Sequence, residues 1–560
     1  MYHQVLDPVS HSLGISSVFA VLPLLVLFVL LGVVRMKAQW AALITLGVAI
    51  VIAVAVYSMP VGQAFNSGAE GAAFGLFPIM WIVINALWIY NMSDETGHFA
   101  VLRRAFSEIS DDKRVQVVVI AFCFGALLEA LAGFGTPVAI CGVMLMGIGI
   151  KPVRAATLAL VADTAPVAFG AIAIPITTLG QVTGLPANHL GAMVGRQTPF
   201  LAMLIPFVLV FIADGRKGLK EAWPAALTAG ATFAVVQFAV SNYVSIQLTD
   251  ILASLASAGA VLALVQMWHP LAPAAPATGG GGRPAIAGAA VADSGLEQKV
   301  VARQRRKRAE GGPRPRWHEL LMAFAPYIII VLTLGITSLA VVTKQLDKLT
   351  TAFSWPGLHV LNAKGKAPTS ELFKLNWMTA AGTWLFISGV LTALVLRVRP
   401  GAAVRSYLRT LGQLKWAIVT VAAVLAIAYV MNLSGQTATL GTWAAGAGGA
   451  FAFLSPLIGW FGTAVTGSDT STNSLFGALQ VTAAHKASLS PILLAGSNSS
   501  GGVLAKMVSP QNLAIGAAAV GLAGREGDIF RKVIGWSLVL VLLMAVLSLL
   551  QSGVLSAMVP

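Results

Sequence analysis

Charge is scarce in this chain. Asp, Glu, Lys and Arg make up 10% of its 560 residues while 57% are hydrophobic, against about 25% charged residues in soluble proteins. That excludes a cytosolic enzyme or any ordinary water-soluble domain. Cysteine is nearly absent: Cys123 and Cys141 both lie in apolar segments, so neither a disulfide framework nor a metal pair is indicated. The eight histidines are scattered near termini, loops and helix ends without metal-ligand spacing; His189 and His485 read as interfacial. No HExxH, Asp-rich run or Ser/His constellation is present. An enzyme, a metal centre and a bound cofactor are therefore not expected.

What the chain has instead is long apolar runs. About twelve are near the 20 residues that a spanning helix needs, which predicts an all-α polytopic membrane protein. The alternating ten-residue segments of an outer-membrane barrel are missing. The net charge of +15 sits in short connections between apolar runs, so it reads as positive-inside bias and not as a nucleic-acid surface.

The run from about Ser17 to Val34 has no Lys or Arg before it, whereas Arg35 and Lys37 follow. It reads as a retained first helix with its N-terminus outside, not as a signal peptide. Alternation then puts Arg103, Arg104, Lys113, Arg114, Lys151, Arg154, Arg216, Lys217 and Lys220 inside. The stretch 303–316, Arg397 to Lys415, and Arg525, Arg531 and Lys532 also fall inside. Both termini come out on the outer side. The loop 343–375, with five lysines, fits worst, but long loops escape the rule more easily. Residues 271–316 change abruptly to a Gly/Ala/Pro-rich stretch with a basic run at Gln304–Arg308. We read them as a flexible cytoplasmic linker whose basic run anchors topology, with contact to anionic lipid head groups as the other reading. It separates a membrane half at 1–270 from another at 317–560.

The halves echo one another. In the first, 115–150 holds GALLEALAGFGTPVAI and 155–176 holds DTAPVAFGAIAIPI; in the second, 443–484 holds GTAVTGSDTSTNSLFGALQ and 488–523 holds SPQNLAI. Each pair reads as a re-entrant hairpin with a Gly-rich or polar tip, followed by a Pro-broken helix. The basic loops make the two hairpins enter from opposite faces, the signature of an inverted-repeat transporter with discontinuous helices.

Gly133, Gly135 and Pro137 break one tip, Gly467 opens the other, and Pro166 and Pro510 break the following helices. Freed N–H groups at half-helix starts favour an anion, above all a carboxylate. An ionisable residue in this setting costs about 2.5–3.5 kcal/mol, so Glu129, Asp163, Asp469 and Lys506 stand out. Glu129 lies one turn before Gly133 and lacks nearby donors in sequence, which makes it the first proton-carrier candidate. Asp469, in a run of hydroxyl and amide residues, is the second candidate, with capping as its other role. Asp163 is the third, or a cap for the half-helix after it. Lys506 either pairs with a carboxylate or snorkels to the interface. Arg196 reads as a carboxylate fork at the outer vestibule or as an interfacial anchor.

Six stretches carry a resemblance: FCFGALLEALAGFGTPVAI (122–140), TAPVAFGA (164–171), VGRQTPF (194–200), GRKGLKEAWPA (215–225), VTGSDTSTNSLFGALQ (465–480) and KMVSPQNLAI (506–515). In them the chain closely resembles the L-lactate permease family, the lactate and glycolate proton symporters of bacterial cytoplasmic membranes. The similarity runs end to end apart from the linker and the loop 343–375. It implies uptake of L-lactate, with D-lactate and glycolate, together with protons. Its patterns fall on Glu129, Gly133, Gly135, Asp469, Ser471, Asn473, Lys506 and Gln511. Two departures are Asp163, where the family leads one to expect Asn, and a more degenerate linker.

The resulting expectation has lactate between the hairpin tips. Gly133, Phe134, Gly135 and Thr136 stand on one side, and Gly467, Ser468, Thr470 and Ser471 on the other. Ser468, Thr470 and Ser471 meet the carboxylate, Asn473 or Gln511 reads the 2-hydroxyl, and Lys506, Ser509 and Arg196 complete the set. One proton per monoanion moves no net charge, whereas two add a voltage term of about 2.3 kcal/mol per 100 mV. A sodium-coupled carboxylate carrier is the alternative, since the same Ser, Asn and carbonyl groups suit that ion.

Overall fold

In a computed structural model, residues 1–107, 109–133, 135–268, 316–363, 365–368 and 371–560 are described. The linker expected at 271–316, apart from Arg316, and Phe134 at the first tip lie outside these residues.

The architecture is helical, as the uninterrupted apolar runs require: in lipid every backbone N–H and C=O must be satisfied within the segment. Among the described residues ten helices are long and apolar enough to cross a membrane, eleven if the bent pair Pro152–Ala162 and Val167–Thr183, with 64° between its parts, counts as one. One of the ten, Thr198–Tyr243, has 46 residues, about 69 Å at 1.5 Å per residue and twice the hydrocarbon thickness. Its backbone leaves helical geometry at Asp214 (φ −145°) and Gly215 (φ 62°), so it supplies two passes, and the total approaches the expected twelve.

Contacts between connections follow the sides set by the charges. Arg114 meets Asp214 and Glu221, Arg154 donates to the Ala213 carbonyl, and Arg409 pairs with Glu95; all belong to the basic side. On the opposite side, strand Tyr2–His3 pairs in parallel with Val360–Leu361, and the Tyr2 hydroxyl donates to the Ser434 carbonyl. Asn66 and Trp355 bond to one another there, beside the antiparallel hairpin of Thr351–Ser354 with Leu372–Leu375. The lysine-rich loop thus shares a side with the N-terminus.

The first hairpin is the centre of the molecule, and every described residue from Arg114 to Gly133 is buried. Without a hydrophobic drive between helices in lipid, close approach depends on small residues. Gly501 faces the Pro456 backbone and Gly459 faces the Asn498 backbone so tightly that no Cβ fits at either place. Gly501→Ala should therefore lower stability by about 1–3 kcal/mol or more. Gly47→Ala, in the Ala38–Ala55 helix with nothing within 4 Å of the new methyl, should be neutral or raise it by up to about 1 kcal/mol. Thermal unfolding of the two variants in detergent, followed side by side, checks this contrast.

Candidate functional site

Four broken elements meet in the interior of the helical bundle. The first hairpin runs up Lys113–Ala132, turns at Gly133 (φ 45°) and Gly135 (φ 81°), and returns along Thr136–Gly147. Those left-handed values are what glycine permits without steric cost. At the hairpin's start Asp112 caps the helix and pairs with Arg114. Burial works against its charge, but the Arg114 side-chain and backbone donors outweigh it and hold the carboxyl below its ordinary range.

The second hairpin climbs Phe451–Thr466, turns at Gly467 (φ 76°), and leaves along Asp469–Lys486, with the Ser468 hydroxyl accepting from the Ser471 N–H. Each hairpin is followed by a helix that breaks. Pro152–Ala162 gives way at Asp163–Pro166 to a short 3₁₀ turn and then to Gly170–Thr183. Pro491–Gly502 gives way to a 3₁₀ segment, Val503–Val508, before Pro510–Ala519 begins under a Ser509 cap.

The charged residues gather where the breaks face one another. Lys506 Nζ lies 2.6 Å from Glu129 Oε1 and 3.0 Å from Asp163 Oδ2, and all three side chains are at least nine-tenths buried. Of the two roles read for Lys506, pairing is the one the geometry realises; it does not reach an interface. Glu129 does not lack donors as its sequence neighbourhood suggested, because Lys506 comes from the other half of the chain. Asp163 does not cap the half-helix after it: it closes the helix before the break as its C-cap, and the cap position of the next turn belongs to Pro166. Asp469 accepts from Ser499 Oγ at 2.6 Å and from Asn473 Nδ2 at 3.2 Å, at the N-terminal, positive end of its helix.

A pseudo-symmetry is visible in the packing. A Cβ on Gly170, in the first break, would stand 2.8 Å from Glu129 Oε1, and one on Gly502, at the second break, would strike Asp469 Oδ1. Each hairpin acid is seated on a glycine of the broken helix that follows it.

Between the tips lies a cavity of about 60 Å³, room for roughly four water molecules at about 15 Å³ each. Glu129, Gly133, Gly467, Ser468, Asp469, Thr470, Lys506 and Gln511 line it, as do Gly170, Asn512 and an apolar wall of Val167, Ala171, Ile174 and Pro175. One face is charged and hydroxylated, the other greasy.

Several expected ligands stand elsewhere. Asn473 is fully enclosed, its amide donating to the Pro175 carbonyl, Asp469 and Ser499 while its oxygen accepts from Asn498, so it braces the site from behind. The Ser471 N–H serves the cap, Ser509 is occupied with the Lys506 carbonyl and Asn512, and Thr136 is not part of the cavity wall. Gly135 packs the tip against Ile515 and Asn512. Arg196 is remote: its guanidinium is held by Asn242 and the Met558 carbonyl, which satisfies it near the C-terminal end of the chain. Asp163 acts on the cavity through Lys506.

Sequence reasoning missed Asn512, whose amide donates to the Gly467 carbonyl at 3.2 Å and so ties the second tip to the second break. It also missed the apolar wall, whose backbone is left-handed at Ala171, Ile172 and Ala173 (φ 45°, 61° and 57°). No signal in the residues announces that turn.

The L-lactate permease family profile matches residues 16–555. The chain belongs to the L-lactate permease family. Similar proteins include the glycolate permease GlcA of Escherichia coli, 41% identical over 98% of this chain and 97% of its own. The L-lactate permease of Bacillus subtilis is 38% identical over 100% and 99%, and that of Escherichia coli 37% over the whole of both. Among solved structures, the YdaH transporter of Alcanivorax borkumensis aligns with 88% of each chain at 13% identity and a TM-score of 0.46. MtrF of Neisseria gonorrhoeae aligns with 86% of this chain and 82% of its own at 10% and 0.47.

In this permease, removing the cation leaves the buried carboxyl groups of Glu129 and Asp163 without their shared partner. Lys506→Met should cost about 3–5 kcal/mol of stability near neutral pH, and the loss should shrink on acidification as the stranded acids take up protons. Unfolding midpoints of wild type and variant across a pH series test this; a loss that does not depend on pH would mean that the lysine contributes packing alone.

Proposed function

We propose that this permease takes up L-lactate, and with it D-lactate and glycolate, by proton symport across the bacterial cytoplasmic membrane. Both termini face outward, and the halves 1–270 and 317–560 flank a cytoplasmic linker. The observation that carries the reading is a buried ammonium, Lys506, lining the small cavity between the hairpin tips and already bonded to the carboxylate of Glu129 at 2.6 Å. The names of its relatives, L-lactate permease and glycolate permease, support the substrate class.

A monocarboxylate entering this cavity competes with Glu129 for Lys506. If substrate takes the ammonium, the displaced Glu129 carboxylate is left in a dry site without a cation, and charge there is costly. Proton uptake by Glu129 removes that cost, so substrate and proton load together; departure of the substrate lets Glu129 return to Lys506 and give up the proton. Ser468, Thr470 and the N–H groups at the second tip orient the carboxylate, Gln511 reads the 2-hydroxyl, and the wall of Val167, Ala171 and Ile174 accepts the methyl group. One proton with one monoanion is electroneutral, so the pH gradient drives uptake.

The test is labelled L-lactate uptake into proteoliposomes under an inward pH gradient without sodium, comparing wild type with Glu129→Gln. Wild type should accumulate lactate, while the variant should exchange it across the membrane but lose accumulation by about tenfold or more, the equivalent of about 1.4 kcal/mol of coupling. A requirement for sodium in the wild type would replace proton symport with sodium coupling. Accumulation by the variant would move the coupling site to Asp469 or Asp163.

A further inference from the structure

The competition just described involves one acid and one lysine, yet two acids touch Lys506. Asp163 Oδ2 is 3.0 Å from the same Nζ that Glu129 Oε1 approaches at 2.6 Å, so one ammonium brings the two carboxyls together. Glu129 Oε2 and Asp163 Oδ1, the oxygens that Lys506 does not engage, are buried with no hydrogen-bond partner. That is the arrangement of two carboxylates that need a proton between them.

The surroundings offer no second cation. From the return arm of the first hairpin Asp163 is faced by the Cys141 thiol, whose Sγ is engaged with the Ile120 carbonyl. At the second tip, Asp469 has Ser499, Asn473 and its own helix N-terminus for compensation. Behind the break, Gln237 contacts the Ala165 carbonyl and passes on to Asp250, another acid. Among the described residues Lys506 is thus the sole positive charge for Glu129 and Asp163 together.

We propose that Glu129 and Asp163 share one resident proton that stays on the protein through the whole cycle and is not the proton transported. The inference rests on the proton-symport reading above. Its bookkeeping balances. Empty, the cluster holds the Lys506 ammonium, one carboxylate and one proton between the two acids, so its net charge is zero. Loaded, it holds the ammonium, the substrate carboxylate and two protonated acids, again zero. One proton enters with each substrate, and in neither state does net charge at the cluster have to cross the membrane interior. Asp163 is therefore a positioning residue: as a neutral acid it donates to Glu129 and keeps that carboxylate directed at Lys506. Asparagine at 163, isosteric with the protonated acid, offers an N–H in place of that O–H.

Two measurements test this on wild type, Asp163→Asn and Glu129→Gln. In proteoliposomes, protons taken up per lactate should be one in both wild type and Asp163→Asn. Lactate exchange in wild type should fall at alkaline pH as the resident proton leaves, with that limb displaced upward by about one pH unit or more in Asp163→Asn. A ratio of two in wild type falling to one in the variant, or a limb that does not move, would overturn the proposal. Infrared spectra of the purified, substrate-free protein at neutral pH should show a protonated carboxyl band in wild type that is missing from Asp163→Asn. Should that variant not fold, Glu129→Gln should lack the same band, because either change removes the need for the shared proton. A spectrum with the band unchanged in both variants would sink the idea. If wild type fails to accumulate lactate under a pH gradient, the functional reading falls, and the infrared result still decides whether the proton is resident.

Discussion

One ammonium held away from water beside two carboxylates is the interaction on which the rest of this structure depends. An ion at mid-membrane costs several kcal/mol unless partners and fixed dipoles replace its water. Here the partners come from elements far apart in sequence: Glu129 from the first hairpin, Asp163 from the first break and Lys506 from the second break, 377 residues from Glu129. Continuous helices do not permit this gathering. Their backbone groups are all used internally, and their girth keeps side chains of opposing helices apart. Stopping four elements short leaves a small volume into which charged side chains, free N–H groups and a small substrate fit together.

The glycines follow from the same requirement. Gly170 and Gly502 are the seats of Glu129 and Asp469, and any side chain at either place would push an acid out of the cluster. Gly133 and Gly467 turn the chain at left-handed φ values where the tips must reverse within the membrane. The glycines that press helix on helix, Gly459 and Gly501, lie in the second hairpin and its following helix. They bring Ser499 and Asn498 to the network behind Asp469 and Asn473. Close packing and the polar network are one construction, because the hydrogen bonds form only when the backbones touch.

The legible part of this arrangement is the part in which a residue conflicts with its surroundings. Glu129, Asp163, Asp469 and Lys506 stand out because charge is expensive in apolar runs, and the hairpins and breaks because Gly and Pro interrupt helices at those positions. Lys and Arg mark the connections that cluster, and Arg114, Arg154 and Arg409 each contact another connection of that basic group. Partnership was not legible. Nothing near Lys506 in the chain says that it meets Glu129, and Asn473 looks like a ligand until three acceptors are found around its amide. Arg196 resembles a carboxylate fork for the same reason: sequence gives a side chain's capacity, whereas the fold decides what uses it. Thr198–Tyr243 reads as continuous apolar helix on either side of a break at Asp214 and Gly215, which is why charge alternation counted its passes better than helix length does.

The left-handed turn at Ala171–Ala173 is the clearest case of tertiary structure overruling local preference. Each such residue costs about 1–2 kcal/mol relative to the right-handed form, and a β-branched Ile172 is among the least suited. The turn persists because its neighbours fix it from both ends. Gly170 before it is pressed against Glu129, and the Pro175 carbonyl after it accepts from Asn473. Between those anchors the chain must join a break that seats the hairpin acid to a helix that leaves toward the other face, and Ala171 is placed beside Gly133 in doing so. A right-handed path between the same anchors would shift either the seat of Glu129 or the brace behind Asp469. The strain and the charge cluster are therefore linked: the ion pairs that hold the first hairpin and the first break to the second break also hold this turn in a conformation its residues would not adopt alone.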